Sequence, residues 1–400
     1  MSSQEACILQ KIRKQIGEED QSSRVLRAAE FFSGIGLVRL ALEEEGWQVV
    51  FANDIDPNKA QMYQSNWPHE DHLLVGDIHQ IDISQIPACE LFTASFPCND
   101  LSIAGRWEGL NGKESSAFWG LVRILRDLRH RRPILVLLEN VVGFLMSRGG
   151  SDFEQALLAL NELGYVVDAF ILNAVHWAPQ SRARLFVVAK LGDGSQGQNE
   201  VIVSGSRPKS LVEFIKQHQN IRWDIRHLPR LPKPKLRLSD IVEDLADDDP
   251  AWWSQERADY FMKQLSMSHE VGAKLRMGGK SFTYVTAFRR VRNGKSMAEL
   301  RFDGIAGCLR TPRGGSGRQI LLKAGKGRYQ VRLLTPRECA RLQGVPESYV
   351  INVPLNQALF GFGDAVCVPA IEWIAKHYLS PVAREMIKAK AATPLFGSFV

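Results

Sequence analysis

The amino-acid sequence predicts an α/β fold, in which a mostly parallel sheet has helices on both faces and is joined to a smaller β-rich domain. From residue 25 to about residue 190, short apolar strands alternate with amphipathic helices, a pattern typical of a parallel sheet. Beyond residue 234 the pattern changes to a period of two, with one face formed by Phe282, Tyr284, Thr286 and Phe288. Asn293 and Gly294 follow as a strong hairpin signal, so this second region is predicted to be β-rich.

The composition fits an ordinary globular chain that is large enough for two domains. The 400 residues are 45% hydrophobic and 24% charged, which is too apolar for a disordered protein. No run approaches the roughly 18 uninterrupted apolar residues of a membrane span, and the polar residues 1–5 do not resemble a secretory signal. We therefore expect a cytoplasmic protein that makes no contact with a membrane.

Six cysteines are scattered along the chain without a Cys-x-x-Cys pair. They are Cys7, Cys89, Cys98, Cys308, Cys339 and Cys367. This spacing favours neither a zinc site nor a disulfide framework, so we expect no bound metal and a reduced thiol that is available for chemistry.

The first predicted strand ends at Phe31 and Phe32, and residues 33–36 make a tight turn into a helix that ends at Gly46. Polar or reactive side chains follow each of the further strands, which are predicted at residues 48–52, 91–96 and 134–138. Ligands bind at the carboxyl edge of an open α/β sheet, so this edge is the candidate site.

The ends of this α/β region are marked by changes in composition. Residues 1–24 are predicted to form a short helix, with Ile8, Ile12 and Ile16 four positions apart. A linker-like stretch at residues 191–198 and a basic, proline-containing stretch at residues 208–234 indicate a domain boundary.

Gly34 and Gly36 lie between a strand and a helix, where they let backbone N–H groups and the helix N-terminus approach a ligand. A dinucleotide-binding turn would have a third glycine at position 39, which is Arg39 here. Hydride transfer is therefore the runner-up chemistry, and a tight turn that binds nothing is the structural alternative.

Asp54 follows the second strand and could accept both ribose hydroxyls of an adenosine. Ile55 offers an apolar face to the adenine, and Asp77 offers an acceptor for its amino group. Any one of these acids could instead cap a helix, and Asp56, which precedes Pro57, is predicted to do so.

Pro97 and Cys98 place a thiol in a loop at the end of a central strand. Glu139 and Asn140 end another strand, so thiolate, carboxyl and cofactor could converge at one edge. The alternative is that Cys98 is simply a small buried apolar residue.

Arg182 and Arg184 open a strand two positions apart, so they point to the same face and can reach one site together. Surface charge or protection of a sheet edge is the competing interpretation.

Positive charge is concentrated between Val271 and Arg332, where fifteen Lys or Arg residues stand against two acids. This segment carries +13 in a chain of net charge +6, so the remainder carries −7. Such asymmetry indicates a polyanionic partner rather than a solvated basic surface. Arg310, Arg313 and Arg318 are interleaved with glycines that let the backbone approach a phosphate chain, unless they form a mobile basic loop.

Together, the motifs resemble those of the bacterial cytosine-5 DNA methyltransferases, over nearly the whole chain from Leu26 to Tyr378. They occur in the family's order: Phe32-Ser-Gly-Ile-Gly36, Asn53-Asp54, Gly76-Asp77-Ile78, Phe96-Pro-Cys98, Glu139-Asn-Val141, Gln180-x-Arg182-x-Arg184, Leu334 to Gly344, and Gly363-Asp-Ala-Val366. The resemblance implies the Rossmann-like fold of class I S-adenosylmethionine-dependent methyltransferases, with a smaller target-recognition domain.

The resemblance also assigns the parts of the chain. We expect an N-terminal helical extension at residues 1–24, a catalytic domain at 25–193, a target-recognition domain at 194–354 and a return to the catalytic domain at 355–400.

The site residues carried over from the family fall into three groups. Those implied to hold S-adenosyl-L-methionine are Phe32, Ser33, Gly34, Gly36, Leu37, Asp54, Ile55, Asp77, Ile78, Ala365 and Val366. The catalytic group consists of the nucleophile Cys98 with Pro97, Glu139, Asn140, Arg182 and Arg184. Expected DNA contacts are Ser102, Arg289, Arg290, Arg292, Arg310, Arg313 and Arg318.

Three positions depart from the family pattern. Asn99 and Asp100 follow Cys98 where glutamine is commoner. Asp364 replaces a usual asparagine, and Cys308 replaces a frequent threonine. None of these changes removes a group that the chemistry requires.

The chemistry explains why these groups belong together. Carbon 5 of cytosine is a poor nucleophile, and addition of a thiolate at carbon 6 pushes electrons into the ring. The carboxyl of Glu139 can give a proton or a strong hydrogen bond to ring nitrogen 3. A stacked base cannot present its ring face, so the cytosine must be flipped out of the duplex.

Two other functions compete with this one: an RNA (tRNA) cytosine-5 methyltransferase, and a non-catalytic DNA-binding regulator that kept the fold. The large basic segment argues against the first, and the intact Cys98, Glu139 and Arg184 argue against the second. We expect a monomer that acts on duplex DNA in a restriction-modification or related defence system, with a separately encoded nuclease as candidate partner.

Overall fold

The computed structural model describes residues 24–97, 116–192, 201–292, 294–311 and 317–392. Within these residues, seven strands form one sheet in the order β3-β2-β1-β4-β5-β7-β6. They are β1 (Leu26–Phe31), β2 (Trp47–Asp54), β3 (Leu73–Val75), β4 (Leu91–Ala94), β5 (Leu135–Val141), β6 (Tyr165–Asn173) and β7 (Ala183–Leu191).

The first five strands pair in parallel, whereas β7 lies antiparallel between β5 and β6. The strand order reverses at the central pair, β1 and β4. Such a reversal opens a crevice beyond the carboxyl ends of the two strands, which is where ligands bind in open α/β sheets.

β4 ends at Ala94, two residues before its predicted end. Its last pairing with β1 joins Phe31 to Ala94, and β1 also ends there because Phe32 adopts a positive φ of 58°. Without β1 beside it, the chain leaves the sheet at residue 95. β2 is longer than predicted, so Asp54 is the last residue of the strand rather than part of the following loop.

Helices cover both faces of the sheet, each over its own apolar core. One face carries α1 (Leu37–Glu44), α2 (Pro57–Asn66), α9 (Leu355–Asp364), α10 (Val368–Ile374) and α11 (Ser380–Ala392). The other carries α3 (Ala117–Leu128), α4 (Ser151–Glu162) and α5 (Lys209–Gln217). The predicted α/β fold class is confirmed.

The C-terminal stretch Leu355–Ala391 has the length and the mean hydropathy, 1.5, of a membrane-spanning helix. However, 67% of its apolar window is buried inside the protein. Ile371, Ile374 and Leu379 pack in the core beneath the sheet. This stretch therefore supports the sheet as part of the core.

A second sheet, in the described part of the chain, has four antiparallel strands in the order β11-β10-β8-β9. They are β8 (Thr283–Arg292), β9 (Lys295–Arg301), β10 (Ile320–Gly325) and β11 (Arg328–Leu333). Its core includes Phe261 of α6 (Gln255–Met262) and Ala273 of α7 (Met267–Met277). This sheet is the smaller β-rich region that the sequence predicts.

A buried ion pair joins the second sheet to the helix that follows it. The Arg332 guanidinium in β11 donates to both carboxylate oxygens of Glu338 in α8 (Pro336–Leu342), at 2.7 and 2.5 Å. Glu338 also accepts from the backbone N–H groups of Thr335 and Glu243. Both charged side chains are fully buried, so this pair is closed to solvent and belongs to the fold.

Candidate active site

The turn after β1 gives different roles to its two glycines. Gly36 has a φ of 82°, and a side-chain carbon there would lie 2.5 Å from the ring of Trp67, so packing alone requires glycine. Gly34 has a φ of 56° and meets only the side chain of Lys59, at 3.9 Å. The open space beside Gly34 is what a cofactor-binding turn requires.

Arg39 occupies the position of the third glycine in a dinucleotide-binding turn. Its side chain is buried, with the guanidinium 4.3 Å from the ring centroid of Trp67. A large buried side chain here is incompatible with the close helix–strand packing that a third glycine allows. The structure therefore gives no support to the hydride-transfer alternative.

Buried polar side chains lie at the crevice between β1 and β4. Thr93 is paired across the strands with Glu30, and Ser33 begins the turn that follows. The hydroxyl oxygens of Thr93 and Ser33 are buried and have no hydrogen-bond partner within the described residues. Such atoms are expected where a ligand or water completes the bonding.

Glu30 was missed by the sequence analysis, although an acid in the apolar strand β1 is a signal. Burial raises the pKa of Glu30 to about 8, and the positive charge of Arg39 opposes this only in part. β1 therefore carries a buried carboxyl group that is largely protonated at neutral pH.

The carboxylate of Asp54 is tied to the glycine turn. Oδ2 accepts from the backbone N–H of Gly34 at 2.7 Å, and Oδ1 accepts from that of Asp56 at 2.8 Å. Each carboxylate oxygen can accept a further bond, so Asp54 still has acceptor capacity for the predicted ribose hydroxyls.

The other two acids after these strands are helix caps. Asp56 accepts from the backbone N–H of Asn58 at 2.9 Å and begins α2, which confirms its predicted capping role. Asp77 accepts from that of His79 at 2.9 Å and begins the short 3-10 turn Ile78–Gln80. The Ile78 side chain is buried, so its predicted cofactor contact would have to come from its backbone.

Exposed apolar side chains lie beside these acids. Ile55 is 67% exposed directly after β2, and Val75, which pairs with Asp54, is exposed at the end of β3. An apolar surface next to hydrogen-bond acceptors suits a planar ring that carries an amino group, such as adenine.

The remaining predicted cofactor residues are used by the fold. Leu37 and Val366 are buried, and Phe32 packs partly buried against the core. The Ala365 carbonyl accepts from Arg182 Nη2 at 2.6 Å. Their contacts with a cofactor stay predictions.

The predicted nucleophile and three neighbours lie outside the described residues: Cys98, Asn99, Asp100 and Ser102. The approach to Cys98 is described as far as Pro97. At the end of β5, Asn140 Nδ2 donates to the carbonyl of Phe96 at 3.2 Å. Asn140 therefore holds the start of the Cys98 loop beside the strand that carries Glu139.

Glu139 and Arg184 form an ion pair at this edge. The antiparallel pairing of β5 with β7 brings the end of β5 beside the start of β7. Arg184 Nε lies 3.0 Å from Glu139 Oε1. Their side chains are 9% and 17% exposed, so both remain partly accessible to solvent.

Arg182 does not share this exposure. It is buried, and its guanidinium donates to the carbonyls of Leu309, Gly363 and Ala365 at 2.8, 3.2 and 2.6 Å. The side chain thus contacts two distant segments of the chain, at residue 309 and at residues 363–365. Its predicted place in the catalytic group stays a prediction.

A family model described as C-5 cytosine-specific DNA methylase matches residues 26–380. The chain belongs to this family. The Type II methyltransferase M.DsaV of Dactylococcopsis salina is 30% identical over 365 residues, which cover 89% of this chain and 86% of the relative. M.HhaI of Haemophilus parahaemolyticus is 28% identical over 366 residues, covering 89% and 95%. The predicted class of enzyme, a cytosine-5 DNA methyltransferase, is confirmed.

Solved structures share the fold of this methylase. The S. pombe Dnmt2 methyltransferase matches with a TM-score of 0.59 and 20% identity, over 90% of this chain and 99% of that one. The Entamoeba histolytica methyltransferase EhMeth matches with a TM-score of 0.60 and 15% identity, over 91% and 99%. At such identities the likeness shows the fold alone.

In this methylase, Cys308 lies between the two arginines. Its Sγ accepts from Arg182 Nη1 at 3.4 Å and from Arg184 Nη2 at 3.9 Å, so the two side chains reach one point, as their spacing predicts. Burial opposes ionisation of the thiol, but the charges of Arg182 and Arg184 outweigh it and lower the pKa of Cys308 to about 7. The sequence marked Cys308 only as a departure from the family, since its partners are more than 120 residues away.

The predicted DNA contacts of the methylase are distributed around the second sheet. Arg289 donates to Gln264 at 3.0 Å, and Arg290 lies over Phe288, 4.7 Å from the ring centroid. Arg310 is exposed, and Arg318 donates to Asn356 at 2.8 Å. Arg313 and the side chain of Arg292 lie outside the described part of the chain.

Proposed function

We propose that this methylase transfers a methyl group from S-adenosyl-L-methionine to carbon 5 of a cytosine flipped out of a specific short duplex sequence, through a covalent adduct between Cys98 and carbon 6. The observation that carries the proposal is the Glu139–Arg184 pair beside the strand end that leads to Cys98. We infer that the Cys98 thiol joins this carboxyl and guanidinium at the target cytosine.

The crevice suits S-adenosylmethionine. Gly34 leaves room for a ligand, and Ser33 has a buried hydroxyl with no partner in the described residues. Asp54 would hold the ribose, and Ile55 with Asp77 would hold the adenine. When bound, S-adenosylmethionine supplies the methyl group.

The chain's own residues supply the rest of the chemistry. The Cys98 thiolate adds to carbon 6 and later leaves, once the proton on carbon 5 has been removed. Glu139 gives a proton or strong hydrogen bond to ring nitrogen 3, where negative charge collects during the addition. Arg184 holds the Glu139 carboxyl at 3.0 Å and so fixes the direction of this hydrogen bond.

The second sheet would supply the binding energy for base flipping. Unstacking a base costs a few kcal/mol, and the segment from Val271 to Arg332 carries +13 toward a polyanion. Each phosphate that it neutralises contributes roughly −0.9 to the slope of log affinity against log salt. A steep loss of binding in salt is expected, and a flat dependence would contradict the role of this segment.

The biological setting is part of the proposal. Relatives such as M.DsaV are named Type II methyltransferases, which supports a place in a restriction-modification or related defence system. We infer a monomer that works on DNA in the cytoplasm, with a cognate nuclease encoded separately. The domain limits 25–193, 194–354 and 355–400 belong to the same proposal.

Transfer of labelled methyl to unmethylated duplex DNA tests the function. The wild type should label cytosine at carbon 5, and Cys98→Ser should not. Cys89→Ser, a free cysteine away from the crevice, is the matched control and should keep activity. Bisulfite sequencing of the product maps the target. Labelling of tRNA in preference to duplex DNA would contradict the proposal.

A further inference from the structure

Part of the second sheet projects beyond its neighbours. β8 pairs with β10 only over residues 283–287, whereas it pairs with β9 as far as Arg292. Residues 288–292 and 295–299 therefore form a two-stranded ribbon that no third strand in the described residues flanks. At about 3.4 Å per residue, the ribbon is roughly 17 Å long.

The base of the ribbon is fixed to the active-site side of the molecule. Thr286 Oγ1 donates to the carbonyl of Ile305 at 3.4 Å, and the next residue, Ala306, pairs with Gln180. Gln180 lies two residues before the buried Arg182. The base of the ribbon is therefore connected, through residues 305 and 306, to the segment that precedes β7 and contains Arg182.

The other face of the base is also anchored. Arg289 donates to Gln264, and Ala298 is buried beside Leu265. These contacts involve Arg289 and Ala298, near the base of the ribbon, which is therefore supported on this side as well.

The ribbon combines positive charge with one exposed apolar side chain. Residues 288–299 contain four Lys or Arg and one acid, a net charge of +3. Val291, which pairs with Ser296 across the ribbon, is 72% exposed. Burial in the protein does not explain a valine at this position.

We propose that this ribbon enters the major groove of the target DNA and that Val291 contacts the C5-methyl group of a pyrimidine there. A two-stranded β-ribbon fits the major groove, which is about 12 Å wide, and this groove displays the pyrimidine methyl, whereas the minor groove does not. Valine can recognise a methyl group by apolar contact and cannot bond to phosphate. The inference rests on the proposed function and adds the chemical group of the DNA that Val291 recognises.

Two bases offer the same methyl group, thymine and 5-methylcytosine. If thymine is read, Val291 helps to select the sequence. If 5-methylcytosine is read on the strand that is not being modified, Val291 makes the enzyme prefer half-methylated sites. The experiment separates these cases by changing one base at a time.

Once the target is mapped, duplexes are made in which each thymine is replaced by deoxyuridine, or each non-target cytosine by 5-methylcytosine. Removing or adding the methyl group that Val291 contacts should change kcat/KM about fourfold, because the free energy of burying one carbon group corresponds to a factor of about that size. Val291→Ala should lose this sensitivity and keep its melting temperature. Val271→Ala, a 53% exposed valine on α7, is the matched control and should keep the sensitivity.

Two outcomes would overturn the inference: no base change alters the wild-type rate, or Val291→Ala responds to the same change as strongly as the wild type. In both, DNA is still methylated, so the proposed function stands. Failure of wild type and Val271→Ala alike to methylate any DNA would instead contradict the proposed function, and this inference with it.

Discussion

Two arginine–glutamate pairs in this methylase use the same chemistry in different surroundings. Arg332 and Glu338 are fully buried, and backbone N–H groups complete the hydrogen bonds of the carboxylate. Glu139 and Arg184 are joined at 3.0 Å and remain partly exposed to solvent. The first pair has no exposed surface and cannot contact a ligand, whereas the second can still contact a substrate. Residual exposure, rather than the ion pair itself, marks the functional site.

The sharpest test of this difference is Glu139→Gln. Loss of a general acid typically lowers the rate by about 10² to 10⁴. We expect a fall of that size in kcat for methyl transfer, with a smaller loss of stability than at the buried pair. Single-turnover transfer of labelled methyl measures it, with DNA binding as the control. A loss of less than tenfold would show that Glu139 is not the proton donor.

Breaking the buried pair should have the opposite effect. Arg332→Met leaves the Glu338 carboxylate buried without its partner, which typically costs about 3–5 kcal/mol in the free energy of unfolding. The double variant Arg332→Met/Glu338→Leu should recover part of this loss, because it removes both charges. Urea unfolding measures both variants. Equal stability of wild type and Arg332→Met would mean that the pair contributes nothing to the fold.

Glu30 extends the comparison to a carboxyl whose pKa burial raises to about 8 from an ordinary value of 4.5. Between these values the folded state holds a proton that the unfolded state has released. Stability contributed by the protonated carboxyl is therefore complete below pH 4.5 and is lost as pH rises to about 8, at up to about 1.4 kcal/mol per pH unit. Glu30→Gln should flatten this dependence. Urea unfolding at several pH values tests it, and parallel curves would refute it.

The smallest expected effect concerns the thiol beside Arg184. In a Cys98→Ser background, alkylation of Cys308 by iodoacetamide should rise with a midpoint near pH 7, because Arg182 and Arg184 favour the thiolate against the effect of burial. Cys339, whose pKa burial raises, should not react in the folded protein. Peptide mass spectrometry distinguishes the two sites. A midpoint near pH 9 would show that the arginines do not act on this thiol.

Local patterns in the sequence were enough for the fold class and for much of the site. Alternation of strands and helices predicted the sheet. Side chains two positions apart in an extended segment point to the same face, which predicted that Arg182 and Arg184 reach one point. This spacing could not reveal that Arg182 is buried, because its carbonyl partners at Leu309 and Gly363 come from segments more than 120 residues away. Sequence reasoning also could not assign Gly36 to packing against Trp67 rather than to the cofactor, because this contact depends on how α2 packs on the turn.

The buried arginine also has a consequence for the order of synthesis. Arg182 is made well before Gly363 and Ala365, whose carbonyls accept from it. While the ribosome has released only the strands of the seven-stranded sheet, this guanidinium lacks both partners. We therefore expect a nascent chain that has not yet reached Ala365 to be inactive in methyl transfer.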